Sequence, residues 1–365
     1  MTLSLYFARR FLLAFSAVFG VFLTFMFMLD MVEQLRKFAA NDVGLQQAAS
    51  LAAMNVPQSI YRILPLLTIL ATLALFLAVA RSSELVVVRA AGRSGLYTLL
   101  APLVAAVMLG VFAVAILNPI VAATSRRYET MANRFSQTDA SILSIDQEGL
   151  WLRQSGEDRQ TVIRALRANL DGTQLFDVTF LEFGQDGGII RRVEAATAQL
   201  APGAWQLDLV KVWRFIPGTN PEAEAQTLPS LRLASDLTLD QIRESFGTPS
   251  AISIWNLPKF IEQLSRSGFS ARQHRMWFQR ELALPAMMAA MVLVGAAFTM
   301  RHARFGKTGR NVLLALLAGF SLFFFRNFSQ VLGENGNIPV VLAAWSPPLA
   351  AMLLALGLLL HLEDG

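Results

Sequence analysis

The sequence predicts an integral membrane α-helical bundle, with six transmembrane helices and an all-β domain inserted between the third and the fourth. Three observations predict it. The chain is 54% hydrophobic and only 16% charged, whereas a soluble domain is about a quarter charged. Its apolar residues gather in long runs toward both ends, and residues 122–275 between them are mixed. Within that middle, short runs of β-branched and aromatic residues are separated by Gly, Asp, Asn and Pro.

The apolar runs cover residues 11–32, 60–80, 97–121, 281–300, 311–332 and 339–361. Each approaches the roughly 20 residues that a spanning helix needs. The first follows Arg9 and Arg10, as a signal peptide would. It is too long for a signal core and no small-residue cleavage site follows, so it reads as a retained span. Pro65, Pro285 and the Pro347-Pro348 pair would break soluble helices, but neighbouring helices tolerate them in membranes. Arg9, Arg10, Arg81, Arg89, Arg93, Arg301, Arg304, Lys307 and Arg310 fall on one side of these spans, against Arg36 and Lys37 in the opposite short loops. The excess of positive charge predicts cytoplasmic termini and an insert on the far side of the membrane.

The insert reads as strands at 161–168, 176–183, 189–200 and 205–215. Asp171-Gly172, Asp186-Gly187-Gly188, Pro202-Gly203 and Pro217-Gly218 supply the turns. Such spacing implies a sandwich, a jelly roll or an open barrel. In the last run Leu207 and Leu209 share one face and Val210 and Val212 the other, which predicts a bulge or bend. Residues 251–275 read as a polar helix returning to the membrane. The expected organisation is three spans in 1–121, the β domain with its return helix in 122–275, and three spans in 276–365.

Several chemistries are excluded. The chain has no cysteine, so thiolate metal sites and disulfides are out. His274, His302 and His361 are far apart and lack a carboxylate pattern, so no metal is expected. Gly306-Lys307-Thr308 ends like a phosphate loop, but the earlier glycine is replaced by Arg301 and no strand precedes it. The formal charge of +5 comes largely from residues flanking spans, so nucleic acid is not an expected partner. No catalytic Ser/His/Asp set or inward carboxylate pair stands out. The chain is expected to be non-enzymatic, and energy for any movement must come from another protein.

Three places remain. Residues 82–95 hold Glu84, Arg89 and Arg93 around the aliphatic patch Leu85–Val88, in a loop that should be wet. Such a patch has a partner or rests on lipid. As a short helix docked on a soluble protein, it would pass force into the membrane. At the end of span one, Arg36 and Lys37 either anchor the interface or meet an anionic, partly apolar substrate. Arg326 lies about four turns into span five and either snorkels to the interface or faces a polar cavity.

Leu64-Pro65 followed by R-S-S-E-L-V-V-V-R-A-A-G (81–92) resembles the lipopolysaccharide export permeases LptF and LptG, and the resemblance runs through nearly the whole chain. V-E-Q-L-R-K (32–37), G-L-W-L (149–152) and L-P-K-F-I-E-Q-L-S-R-S-G (257–268) are more similar to the LptG branch. The resemblance implies an inner-membrane protein of a Gram-negative bacterium with a jelly-roll-like periplasmic β domain. It implies an LptF-type permease partner and an LptB-type ATPase dimer that consumes the ATP, with no cofactor on this chain. A coupling helix near 82–92 would meet the ATPase through Glu84, Leu85, Val88 and Arg89. Lipopolysaccharide drawn from membrane lipid would contact Arg36, Lys37 and Arg326 and pass to LptC-type and LptA-type periplasmic jelly-roll proteins. One departure stands out: where the family often has another basic residue a turn before the Arg-Lys pair, this chain has Asp30 and Glu33. Two other readings remain: a permease for a different lipid or lipoprotein, and a membrane-anchored periplasmic scaffold that moves nothing.

Overall fold

The computed structural model describes residues 2–39, 44–82, 84, 88, 90, 95–136, 143–146, 149–155, 160–168, 174–184, 188–216, 218–235, 249–266, 270–300 and 308–363. Two compact units result: Met1–Ser136 with Ser250–Trp255 and Arg272–Gly365, and Gln137–Pro249 with Asn256–Ala271.

The first unit is helical. α1 (Thr2–Lys37) is one helix of 36 residues, roughly 54 Å at 1.5 Å per residue. It outreaches a hydrocarbon core of about 30 Å, so Arg9 and Arg10 lie within the helix. Its buried stripe, Phe7, Phe11 and Phe15, recurs every four residues, the spacing of one helix face. α2 (Leu45–Arg62) turns back along α1. Hydropathy did not reveal it, because it is amphipathic, with Ala48, Leu51, Ala52, Val56 and Ile60 buried among glutamines and Asn55. The chain breaks at Ile63, and Pro65 sits in the first turn of α3 (Leu64–Arg81), where its missing N–H costs nothing. α4 (Gly95–Phe112) passes through a π-helical turn at Ala113–Leu117 into α5 (Asn118–Ser136), so the third span continues as helix well beyond 121.

The second unit contains strands β1 (Leu143–Asp146), β2 (Gly149–Ser155), β3 (Gln160–Ala168), β4 (Gln174–Phe183), β5 (Ile189–Ala201), β6 (Ala204–Arg214) and β7 (Gln226–Ala234). They form one antiparallel sheet in chain order. α6 (Leu257–Arg266) adds Phe260, Ile261 and Leu264 to its core, beside Phe180, Trp205, Leu207 and Val210. The bend expected near Leu209 is part of a larger feature. Leu166, Asp177, Ala196, Leu209 and Pro229 lie in one row across β3 to β7, and all are absent from the pairing ladder. Inward positions change parity across that row: Leu175 then Val178, Ala195 then Ala198, Leu207 then Val210. A one-residue slip in a single strand would turn its apolar set outward. Here every strand slips together, so pairing survives and both sides of the crease feed one core. Asp177 and Leu209 take left-handed φ of 53° and 54° to do so, and Leu209 ends up outward, 74% exposed, not on the face of Leu207. Pro229 fits a strand because β7 is at the sheet edge.

The chain returns to the helical unit through α7 (Arg272–Leu282), which meets α8 (Leu284–Thr299) at a 49° bend beside Pro285. α9 (Thr308–Glu334) and α10 (Val340–Glu363) complete it. Among the described residues, five helices are long and apolar enough to span, six with the bent pair counted as one. α8 is central, packed on α3, α4, α9 and α10 and buried nearly throughout. Small residues allow this. A Cβ on Gly295 would lie 2.9 Å from Thr72 Cγ2, and one on Gly110 would lie 2.5 Å from Pro285 Cα. The buried hydroxyls of Thr68, Thr72 and Thr299 bond carbonyls four residues back, at 2.9, 2.8 and 2.7 Å, which satisfies them without water.

Candidate functional site

At one end of α1, the loop after α3 is tied to the first span. Arg10 Nη1 donates to both carboxylate oxygens of Glu84, at 2.9 and 3.1 Å. The Tyr6 hydroxyl reaches Oε2 at 3.2 Å, and the hydroxyl of Ser82, the residue closing α3, reaches Oε1 at 2.8 Å. The Arg10 guanidinium also lies 4.9 Å from the Tyr6 ring centre. Tyr6 and Arg10 are one helical turn apart, so both meet one carboxylate. Val88 is buried in the same apolar cluster as Phe7 and Phe11. It therefore faces into its own chain. Leu85 and Arg89 lie outside the described residues.

At the other end of α1, Asp30, Gln34 and Phe38 form a stripe every four residues, buried against α2 and α5. Asn55 Nδ2 donates to Asp30 Oδ1 at 2.7 Å, and the Tyr128 hydroxyl donates to Gln34 Oε1 at 3.1 Å. Asp30 therefore fastens α1 to α2. The Lys37 ammonium lies 5.4 Å from the Phe38 ring and 6.0 Å from the Tyr128 ring, which positions its charge while leaving it exposed. Arg36 is also exposed. This face can offer two adjacent cations beside apolar helix surface, the chemistry that an anionic amphiphile needs.

Arg326 lies elsewhere. It is on α9, 7% exposed, with its guanidinium 5.3 Å from the Phe323 ring. Of the two expectations for it, snorkelling is not what the structure has: the side chain is inside the bundle. One turn on, Gln330 accepts from Arg280 Nη1 at 2.5 Å and donates to Glu334 at 2.7 Å. Arg36 and Lys37 lie at the end of α1 that packs on α2 through Asp30 and on α5 through Gln34, whereas Arg326 sits on α9, whose neighbours are α3, α7, α8 and α10.

Sequence reading missed the polar core around Glu281. This carboxylate is 2% exposed. It accepts from the Tyr61 hydroxyl and from Asn118 Nδ2, the latter at 3.2 Å, and Arg280 Nη2 lies 3.8 Å from its other oxygen. Asn118 Oδ1 accepts from the Ile254 N–H at 2.8 Å. A buried carboxylate with these donors is paired rather than stranded. Glu281 stood at the first position of an apolar run and looked like a boundary residue. The only hint was Pro285 four residues later, which marks a break behind which a polar group can be housed.

On the outer surface of the β unit, cations stack on aromatic rings directly opposite or beside them, as with Arg164 over Trp151 at 5.4 Å and Lys211 over Trp213 at 4.7 Å. Glu222 bonds Lys211 at 2.5 Å and Trp213 Nε1 at 2.6 Å. These bonds, the lysine's first, hold its carboxyl below the usual carboxylate range.

The family described as "Lipopolysaccharide export system permease LptF/LptG" matches residues 5–361. The chain belongs to the LptF/LptG family. Within it, the chain is similar to the "Lipopolysaccharide export system permease protein LptG" of Haemophilus influenzae, 25% identical over 96% of both chains. It is equally similar to the protein of that name from Escherichia coli strain K12, at 25% over 90% of each. An LptF/LptG permease is a membrane protein, in keeping with the helical unit, and the β unit interrupts its spans in sequence.

Proposed function

We propose that this chain is the permease subunit of a lipopolysaccharide export system in the inner membrane of a Gram-negative bacterium. The observation that carries this is the family match over residues 5–361. In the finer reading, both termini are cytoplasmic, the β domain is periplasmic, and the chain pairs with an LptF-type subunit and an LptB-type ATPase dimer. ATP is spent by the ATPase. Lipopolysaccharide leaves the outer leaflet past Arg36 and Lys37 and is handed to LptC-type and LptA-type jelly-roll proteins. Arg326 meets lipid only in a state that uncovers it.

The 82–92 segment is the coupling element in this reading. Glu84 is the charged end, Val88 the anchor into the bundle, and Leu85 and Arg89 belong to the ATPase side. The clamp of Glu84 by Tyr6 and Arg10 supports this, because it joins the segment to a continuous helix that ends at Arg36 and Lys37. About 39 Å of unbroken helix separates Arg10 from Arg36. A push on the segment is therefore a push on α1.

Co-purification and reconstituted release test the reading. The chain is expected to bring down an ATPase and, with its partner subunits, to release lipopolysaccharide from proteoliposomes on ATP addition. Glu84→Lys is expected to lose release while the subunits remain in the membrane. If the ATPase neither co-purifies nor is needed for release, the coupling assignment is wrong. If another lipid is released instead, the substrate assignment is wrong.

A further inference from the structure

Three consecutive residues at the end of α7 each hold a different part of the bundle. The Trp345 indole N–H on α10 donates to Gln279 Oε1 at 3.2 Å. Arg280 donates to Gln330 on α9 at 2.5 Å. Glu281 accepts from Tyr61 on α2 and Asn118 on α5. Successive helix residues project about 100° apart, so a polar triplet there must face three directions. In a bundle that excludes water each must find its own partner.

Both side chains that donate to Glu281 lie at a discontinuity. Tyr61 is two residues before the break at Ile63, and Asn118 directly follows the π turn. Glu281 itself is two residues before Ala283, where α7 and α8 meet at 49°. Breaks free backbone groups and make bending cheap. Here the breaks of three segments are tied to one carboxylate.

We propose that Gln279-Arg280-Glu281 is a joint that transmits bending of the α7–α8 span at once to α2, α5, α9 and α10. The triplet moves as a unit because it lies within one turn of helix. Tyr61 and Asn118 follow because neither can leave without stranding the buried Glu281 carboxylate, and the part-buried Gln330 and Trp345 follow through their hydrogen bonds to Arg280 and Gln279. The joint does not depend on what the chain carries.

Spin-label distances in the full chain, reconstituted with its partner subunits in lipid nanodiscs, test it without substrate or nucleotide. This chain has no cysteine, so each introduced pair is the only one on it, and cysteine-free partner subunits keep the labels specific. One pair is Gln273→Cys with Ala123→Cys, reporting α7 against α5. The other is Gln273→Cys with Val341→Cys, reporting α7 against α10. All three positions are exposed. Glu281→Gln keeps the shape but leaves one fewer strong acceptor. It is expected to shift both distance distributions, although Val341 is nowhere near Tyr61 or Asn118 in the bond network. Tyr61→Phe, which removes a single donor, is expected to shift both in the same sense and serves if Glu281→Gln fails to assemble. A shift in the α5 pair alone makes Glu281 a local contact and overturns the joint. So does wild-type behaviour of both pairs in Tyr61→Phe.

Discussion

Arg10 and Glu84 form the ion pair that fastens the loop after α3 to the first span, at 2.9 Å with side chains 37% and 27% exposed. Such a pair is worth about 0.2–1 kcal/mol to stability, too little to matter for folding. Its importance is connectivity. Arg10→Glu is therefore expected to leave melting of the purified chain nearly unchanged while lowering lipopolysaccharide released per ATP hydrolysed. The swap Arg10→Glu with Glu84→Arg is expected to recover part of the coupling. If each single variant exports as the parent does, force does not pass through this pair.

Arg36 and Lys37 are exposed and Arg326 is not. Photo-crosslinking groups at 36 and 37 are expected to capture lipopolysaccharide in the resting complex, and one at 326 to capture much less. Equal capture at all three would mean that the cover over Arg326 opens at rest.

Gly110 touches the backbone of Pro285 where α4 crosses α8. A methyl there would overlap Pro285 Cα at 2.5 Å, and the helices would have to part. Gly110→Ala is expected to destabilise the bundle by about 1–3 kcal/mol, the usual range for overpacking. Gly20→Ala, with nothing within 4 Å of the new carbon, is expected to be neutral or slightly stabilising. Thermal unfolding in one detergent compares the two.

Glu222 gains its proton at lower pH in the folded β unit than in an unfolded chain, because Lys211 and then Trp213 bond the charged form. The contact therefore contributes fully above the ordinary value of 4.5 and is lost as pH falls through the lowered folded value. Fluorescence of Trp213, taken as the difference from Trp213→Phe, is expected to change only below that ordinary value. Lys211→Ala is expected to move the change upward.

Much of this architecture was legible because its signals are local. Hydropathy located the spans, and period-2 runs located β3 to β6 close to their observed limits. α2 was not legible, because its alanines and glutamines give no long apolar run. β7 was hidden by Pro229, which only an edge position tolerates. The polypeptide at 251–275 looked like one return helix; it divides into α6, which serves the β core, and α7, which enters the bundle.

The candidate sites divided in the same way. Glu84 and the Arg36-Lys37 pair stood out as charges beside apolar runs, and the family resemblance gave them roles. Arg10, Tyr61, Asn118 and Glu281 did not stand out, since each is ordinary in its own neighbourhood and acquires meaning from a partner 74 to 220 residues away.

By itself the sequence determined the membrane class, the inserted β domain and the family, because hydropathy, alternation and motif spacing act over a few residues. Tertiary structure alone decided that Val88 points inward, that Arg326 is covered, that the sheet creases coherently along one row and that Glu281 joins three helix breaks. Those outcomes depend on which surfaces meet. A buried polar group takes whatever partner packing brings within hydrogen-bond reach, and no local pattern names that partner in advance.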